Sequence, residues 1–181
     1  MTIDLSAFPY LDRTEEERTK GYTTMVGVPD RYLQARELTQ LNRLLQYQIR
    51  DIGNILFNQG AVLEGCQLTI TGNQATVTAG KIYYNGFVLP IPETTLTITK
   101  QGTESIGVKI TESIVTEEED SSLRDPYPAG RGYNRPGMHR IKITTEVVLS
   151  DQAQLKLYEL ADGVPRQTRK PTEFSEIINI L

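Results

Sequence analysis

The feature that most constrains this chain is a run of apolar residues at helical spacing between Asp30 and Gly60. Leu38, Leu41, Leu45, Ile49, Ile52 and Leu56 follow one another at intervals of 3, 4, 4, 3 and 4, and Leu44 and Ile55 widen the stripe. Such spacing is the signature of an amphipathic helix. Asp30 suits an N-cap and Gly60 a C-terminal stop, so one helix is expected over residues 29–60. Arg36, Gln40, Arg43, Gln46 and Arg50 fall on its opposite face. At 1.5 Å per residue the helix is roughly 40 Å long, against about 12 residues in an ordinary globular helix. Its stripe lies either on this chain's own sheet or against another chain, and the length favours the second. About three heptads is the shortest run on which a coiled coil can be argued.

After Gly60 the apolar period falls from 3.6 toward 2, which is strand patterning. Residues 67–71 and 75–78 alternate on either side of Gly72-Asn73 and read as a hairpin. Lys81 to Tyr84 and Phe87 to Leu89 flank Asn85-Gly86, the dipeptide that best tolerates the two positive φ angles of a type I′ turn. Further strands are expected at 95–99, 106–116, 140–149 and 155–160, the last entering a turn at Asp162-Gly163. Pro90 and Pro92 belong at a sheet edge or at the end of pairing. Tyr83 and Tyr84 point to opposite faces of one strand.

The expected fold class is α+β: an extended N-terminal arm (1–28), the long amphipathic helix (29–60), and a mostly antiparallel β body (61–170) with hairpins and a long Pro/Gly-rich loop. Residues 171–181 read as the start of a C-terminal helix, with Phe174, Ile177, Ile178 and Leu181 at helical spacing, continuing in a longer protein. In the arm, Thr14-Glu15-Glu16-Glu17 fits either a capping box on a short helix or a charged turn. The loop, Glu117 to His139, holds three prolines and three glycines and exceeds the length usual for a structureless connection. Its acidic start, Glu117 to Asp120, and its Arg124, Arg131 and Arg135 carry opposite signs, which suits contact with a neighbour of the same kind.

Several function classes are disfavoured by composition. At 181 residues the chain buries a core without staples. A net charge of -4 and a pI near 5.1 oppose binding to phosphate backbones, so no nucleic-acid partner is expected. A single Cys, Cys66, builds neither a disulfide framework nor a Cys-based zinc site. No apolar run approaches the roughly 20 residues of a spanning helix, so no membrane partner is expected.

Catalytic motifs are equally scarce. The one histidine, His139, has no nucleophile motif such as Gly-x-Ser-x-Gly beside it. The run Glu117-Glu118-Glu119-Asp120 lacks the spacing of a calcium loop, and Gly130-Arg131-Gly132 lacks the strand-to-helix context of a phosphate loop. Neither catalytic residues, metal ligands nor a cofactor site are expected, and the chain reads as a structural assembly module and not an enzyme.

At the helix, Gln34-Ala35-Arg36-Glu37-Leu38-Thr39-Gln40-Leu41, followed by Gln48-Ile49 and by Gly53 to Phe57 and Gly60, resembles a family of tailed-bacteriophage virion proteins. These are tail-fibre or baseplate proteins of contractile-tailed cyanophages that carry this segment in an N-terminal domain of unknown function. The likeness continues through Gly80 to Gly86 and returns at Leu123-Arg124-Asp125-Pro126 and at Tyr133 to Arg140, spanning roughly residues 7 to 150. His139 departs from the pattern, standing where the family has an acidic residue, and the arm from Asp12 to Lys20 matches loosely.

The resemblance implies a virion protein that anchors a tail fibre to the baseplate, made in the host cytoplasm and assembled as a homotrimer with baseplate proteins as partners. The interface residues expected on this reading are Leu38, Leu41, Leu45, Ile49, Ile52, Leu56 and Arg36 on the helix, with Arg124, Arg131 and Arg135 in the loop. From another class, a receptor-binding adhesin for host surface glycan is the alternative, and it predicts direct binding to host cells. A polysaccharide-degrading enzyme is a third reading and requires two essential carboxylates.

Overall fold

Alternating strands dominate the computed structural model, which describes residues 3–149 and 153–167. Two helices come first, α1 (Thr14–Thr19) and α2 (Ala35–Leu56), followed by β1 (Val62–Gly65), β2 (Leu68–Thr71), β3 (Gln74–Val77), β4 (Gly80–Tyr84), β5 (Phe87–Ile91), β6 (Thr94–Thr97), β7 (Thr103–Val115), β8 (Arg140–Leu149), β9 (Leu155–Ala161) and β10 (Val164–Gln167). They form three antiparallel sheets with strand orders β1-β4-β5, β2-β3-β6 and β10-β9-β7-β8.

The turns follow from local chemistry. Asn85 and Gly86 have φ of 47° and 84°, the pair of positive angles that a right-twisted two-residue hairpin needs. Pro90 sits in β5, an edge strand, where its missing N–H costs no ladder bond. Where β9 parts from β7, the Gln154 side chain takes over the pairing: its Oε1 accepts from Ile110 N at 2.7 Å and its Nε2 donates to Ile110 O at 2.9 Å.

The core corrects the expected fold class. Its cluster comprises Cys66, Ala75, Val77, Ile82, Leu89, Ile91, Ile98, Ile106, Val108, Ile110, Val147, Leu155, Leu157 and Leu160. All of these lie in strands or the turns beside them, and α2 contributes none. An α+β fold would lay the apolar stripe of its long helix on a sheet. Here the sheets pack on one another and α2 is an attachment, so the chain is a mostly antiparallel β protein with one long helix.

The helix is also shorter than expected. Asp30 has a φ of 61°, outside the extended geometry of an N-cap, and α2 starts after Gln34, whose N–H donates to Glu37 Oε2 at 2.8 Å. It stops at Leu56, and Gly60 instead turns with a φ of 75° and donates its N–H to Tyr83 O. Thr14 is the first residue of α1 and not its cap: its N–H donates to Asp12 Oδ1 at 3.0 Å and its hydroxyl to the same oxygen. The expected helix over 171–181 lies outside the described residues.

Candidate assembly interface

α2 is turned inside out with respect to its own chain. Apart from Leu44, expected on the stripe but only 5% exposed, the face directed at the rest of the protein is polar. Gln40 is fully buried and its Nε2 donates to Glu17 Oε1 at 2.8 Å. Arg43 Nε lies 2.8 Å from Asp12 Oδ2, in an ion pair whose carboxylate is only 5% exposed, and Arg43 Nη2 donates to Tyr47 OH at 2.8 Å. The Tyr47 ring has the guanidiniums of Arg18 and Arg50 at 4.3 Å and 4.2 Å from its centroid, close enough for cation–π attraction. Arg18 also pairs with Asp51 at 2.8 Å. Burial, and then the Glu15 carboxylate, hold the Tyr47 phenol above its usual range against the lowering pull of Arg43.

Toward its C-terminal end α2 rests on the β4–β5 hairpin. Tyr83 OH bonds Asn54 Oδ1 at 2.9 Å and Arg50 O at 3.2 Å, and the Tyr83 ring meets Phe57 at 5.4 Å between centroids. A Cβ on Gly53 would fall on the Tyr83 ring, and one on Gly86 would come within 2.9 Å of Arg50 N and Cα. Both glycines therefore permit the close approach.

The opposite face is apolar and faces outward. Leu41, Leu45, Ile49, Ile52 and Ile55 are 41%, 52%, 55%, 62% and 83% exposed, Leu56 is exposed as well, and Leu38 is half-buried. The exposure continues upstream through Leu33, Tyr32, Val28 and Val26. Arg36, on the polar face, has its Nε donating to Gln34 Oε1 at 2.6 Å. The stripe is visible as a period in the sequence. The buried polar face was missed there, because its partners come from residues 12–18, whose contribution has no period.

The loop from Glu117 to His139 closes on itself instead of spreading. Arg124 and Pro136 form an isolated bridge, Asp125 N donates to Arg135 O and Gly137 N to Leu123 O, and Arg124 Nη1 donates to Asn134 O at 3.2 Å. Arg131 and Arg135 are exposed and make no ion pair among the described residues. The acidic run does not meet the loop arginines: Glu117 Oε2 lies 3.3 Å from His139 Nε2, and His139 Nδ1 is hydrogen-bonded to Tyr10 OH at 2.7 Å. His139 thus ties the arm to the base of the loop. Ser122 holds the Asp120 carboxyl below its usual range through two hydrogen bonds.

Among the described residues no group of three or more His, Cys, Asp or Glu side chains is placed to hold a metal ion, and no helix is long and apolar enough to cross a membrane. Fold and surface together define a β body that presents the apolar face of one helix to solvent. The chain belongs to the family described as "Domain of unknown function (DUF4815)", which matches it over residues 9–181. That description assigns no function. No curated protein matches this chain. Among solved structures the crystal structure of TssK is similar at 11% identity with a TM-score of 0.40, covering 80% of this chain and 40% of that one. The chain thus spans less than half the length of that structure.

Proposed function

We propose that this chain is a virion structural module that self-associates, as a homotrimer, and anchors a phage tail fibre to the baseplate by protein–protein contacts without enzymatic activity. One observation carries the assembly part of the reading: the chain engages the polar face of α2 internally, through Gln40, Arg43, Tyr47 and Asp51, and leaves the apolar face outward. Exposed apolar patches much larger than roughly 300–600 Å² are uncommon on proteins that act as monomers. The resemblance of the α2 segment and of the 123–140 loop to phage tail-fibre and baseplate proteins supplies the setting, a virion tail. In that setting the exposed seam joins copies, and the closed loop with its free Arg131 and Arg135 meets a neighbouring subunit or the baseplate.

Light scattering across a dilution series tests this first. The expected result is a stable trimer, and Leu45→Glu with Ile52→Glu should convert it to folded monomer, because charges in a shared apolar seam lose their hydration without gaining partners. Folded trimers from that double variant would remove α2 from the interface. Association of the wild-type chain with purified baseplate proteins, and no binding to host cells, is expected of an anchor; the reverse would favour an adhesin.

A further inference from the structure

We infer that the occupant of the exposed face of α2 is the same face of further copies of this chain, lying parallel and in register, as nearly straight helices. The inference rests on the assembly reading above and adds orientation and geometry to it.

Four observations point the same way. The stripe repeats every eleven residues: Leu38 with Ile49, Leu41 with Ile52, and Leu45 with Leu56. Eleven residues in three turns give about 3.67 per turn, close to the 3.6 of a free helix and slightly beyond it. Helices sharing such a stripe stay in contact with almost no supercoil, and what remains is right-handed. The left-handed winding of a heptad coiled coil is not required.

The flanks of the stripe are Asn42 and Gln48, both neutral and both exposed, and Glu37, one repeat before Gln48, whose carboxylate accepts from Gln34 N, while Arg36, Arg43 and Arg50 project from the far side. Identical copies brought together on this seam therefore meet one like charge, Glu37 in the first turn, where the N-terminal end of the helix offsets a carboxylate. Flanking charges are the usual means by which helices select a different partner, and these flanks carry only that one.

The exposed apolar surface is asymmetric along the chain. It extends past the N-terminal end of α2 through Leu33, Tyr32, Val28 and Val26, whereas at Leu56–Phe57 the helix meets the body at Tyr83. A parallel arrangement gathers the linkers of all copies at one end, where they cover one another. An antiparallel arrangement would bring each linker to the end at which the other copy carries its β body.

The extent is also large: ten large apolar side chains between Val26 and Leu56 are each more than 40% exposed, and the interfaces of obligate homo-oligomers are the more apolar ones.

The test uses the full chain with a single added cysteine, Leu41→Cys or Leu56→Cys, and a short bis-maleimide. Both positions are exposed and tolerate the change, and the native Cys66 is fully buried, so the wild type serves as the unreactive control. The two positions lie roughly 22 Å apart along the axis at 1.5 Å per residue. Parallel, in-register packing predicts that each variant alone cross-links to covalent pairs. If neither variant cross-links alone but an equimolar mixture of the two does, the copies are antiparallel: the orientation is overturned while the assembly reading stands. A chain that scatters as a monomer at every dilution overturns both.

Discussion

At the scale of single residues, two side-chain choices decide how α2 sits on its hairpin. Tyr83 has 4% of its surface exposed, and its hydroxyl bonds the helix at Asn54 and Arg50. Gly53 is the absence of a side chain against that ring. In a free helix Gly→Ala is favourable by about 1 kcal/mol, but here the added methyl must displace the Tyr83 ring, and overpacking costs typically 1–3 kcal/mol. Displacement wins, because Tyr83 is fixed at both ring and hydroxyl. Gly53→Ala is therefore expected to destabilise the chain by about 1 kcal/mol, while in a Tyr83→Ala background the same substitution should stabilise it by a similar amount. Urea midpoints for the four variants at one protein concentration give the sign in each background. A stabilising Gly53→Ala on the wild-type hairpin would mean that the contact is loose.

At the scale of elements, the arm behaves as a polar strap. Ile3 N donates to Glu112 Oε2, Tyr10 reaches His139, Asp12 pairs with Arg43, and Glu17 and Arg18 engage Gln40 and Asp51. Besides the buried Leu5, its attachment rests on these polar contacts, of which the Asp12–Arg43 ion pair is the most buried. Removing one partner of a fully buried pair costs roughly 3–5 kcal/mol; with Arg43 16% exposed and still bonded to Tyr47, about 2–3 kcal/mol is reasonable. Asp12→Ala is thus expected to raise the open population of the arm on the order of a hundredfold, read as faster tryptic cleavage after Arg13, Arg18 and Lys20. The melting of the β core should stay unchanged, since no residue of that apolar cluster precedes Cys66.

The same strap shows where sequence reasoning stops. Strand alternation, the Asn85-Gly86 turn and the α2 stripe are local periods and were legible from residues alone. Which face of α2 the chain keeps for itself was not, because that is decided by Asp12, Glu17 and Arg18, one residue at a time and 23 to 33 positions away. The strand β1 was not read either: all four of its residues are exposed, and a strand without a buried face leaves no alternation.

For the molecule as a whole, the separation of core from seam makes folding and assembly independently measurable. All of the clustered apolar core lies in the β body, and the seam residues have no place in it. A chain built this way folds its body first and associates afterward, so association adds to apparent stability by mass action and not by completing a core. The wild type is therefore expected to melt at a temperature that rises with protein concentration. The Leu45→Glu, Ile52→Glu variant should melt at one concentration-independent temperature, with the β signature of its far-UV circular dichroism intact and its helical signal reduced at most slightly. In the α+β alternative the stripe would complete the core, and the same two charges would unfold the body outright, with loss of cooperative melting. Melting curves of both proteins over a hundredfold dilution separate the two architectures, because only a helix that stands outside the core can lose its partners and leave the strands as they were.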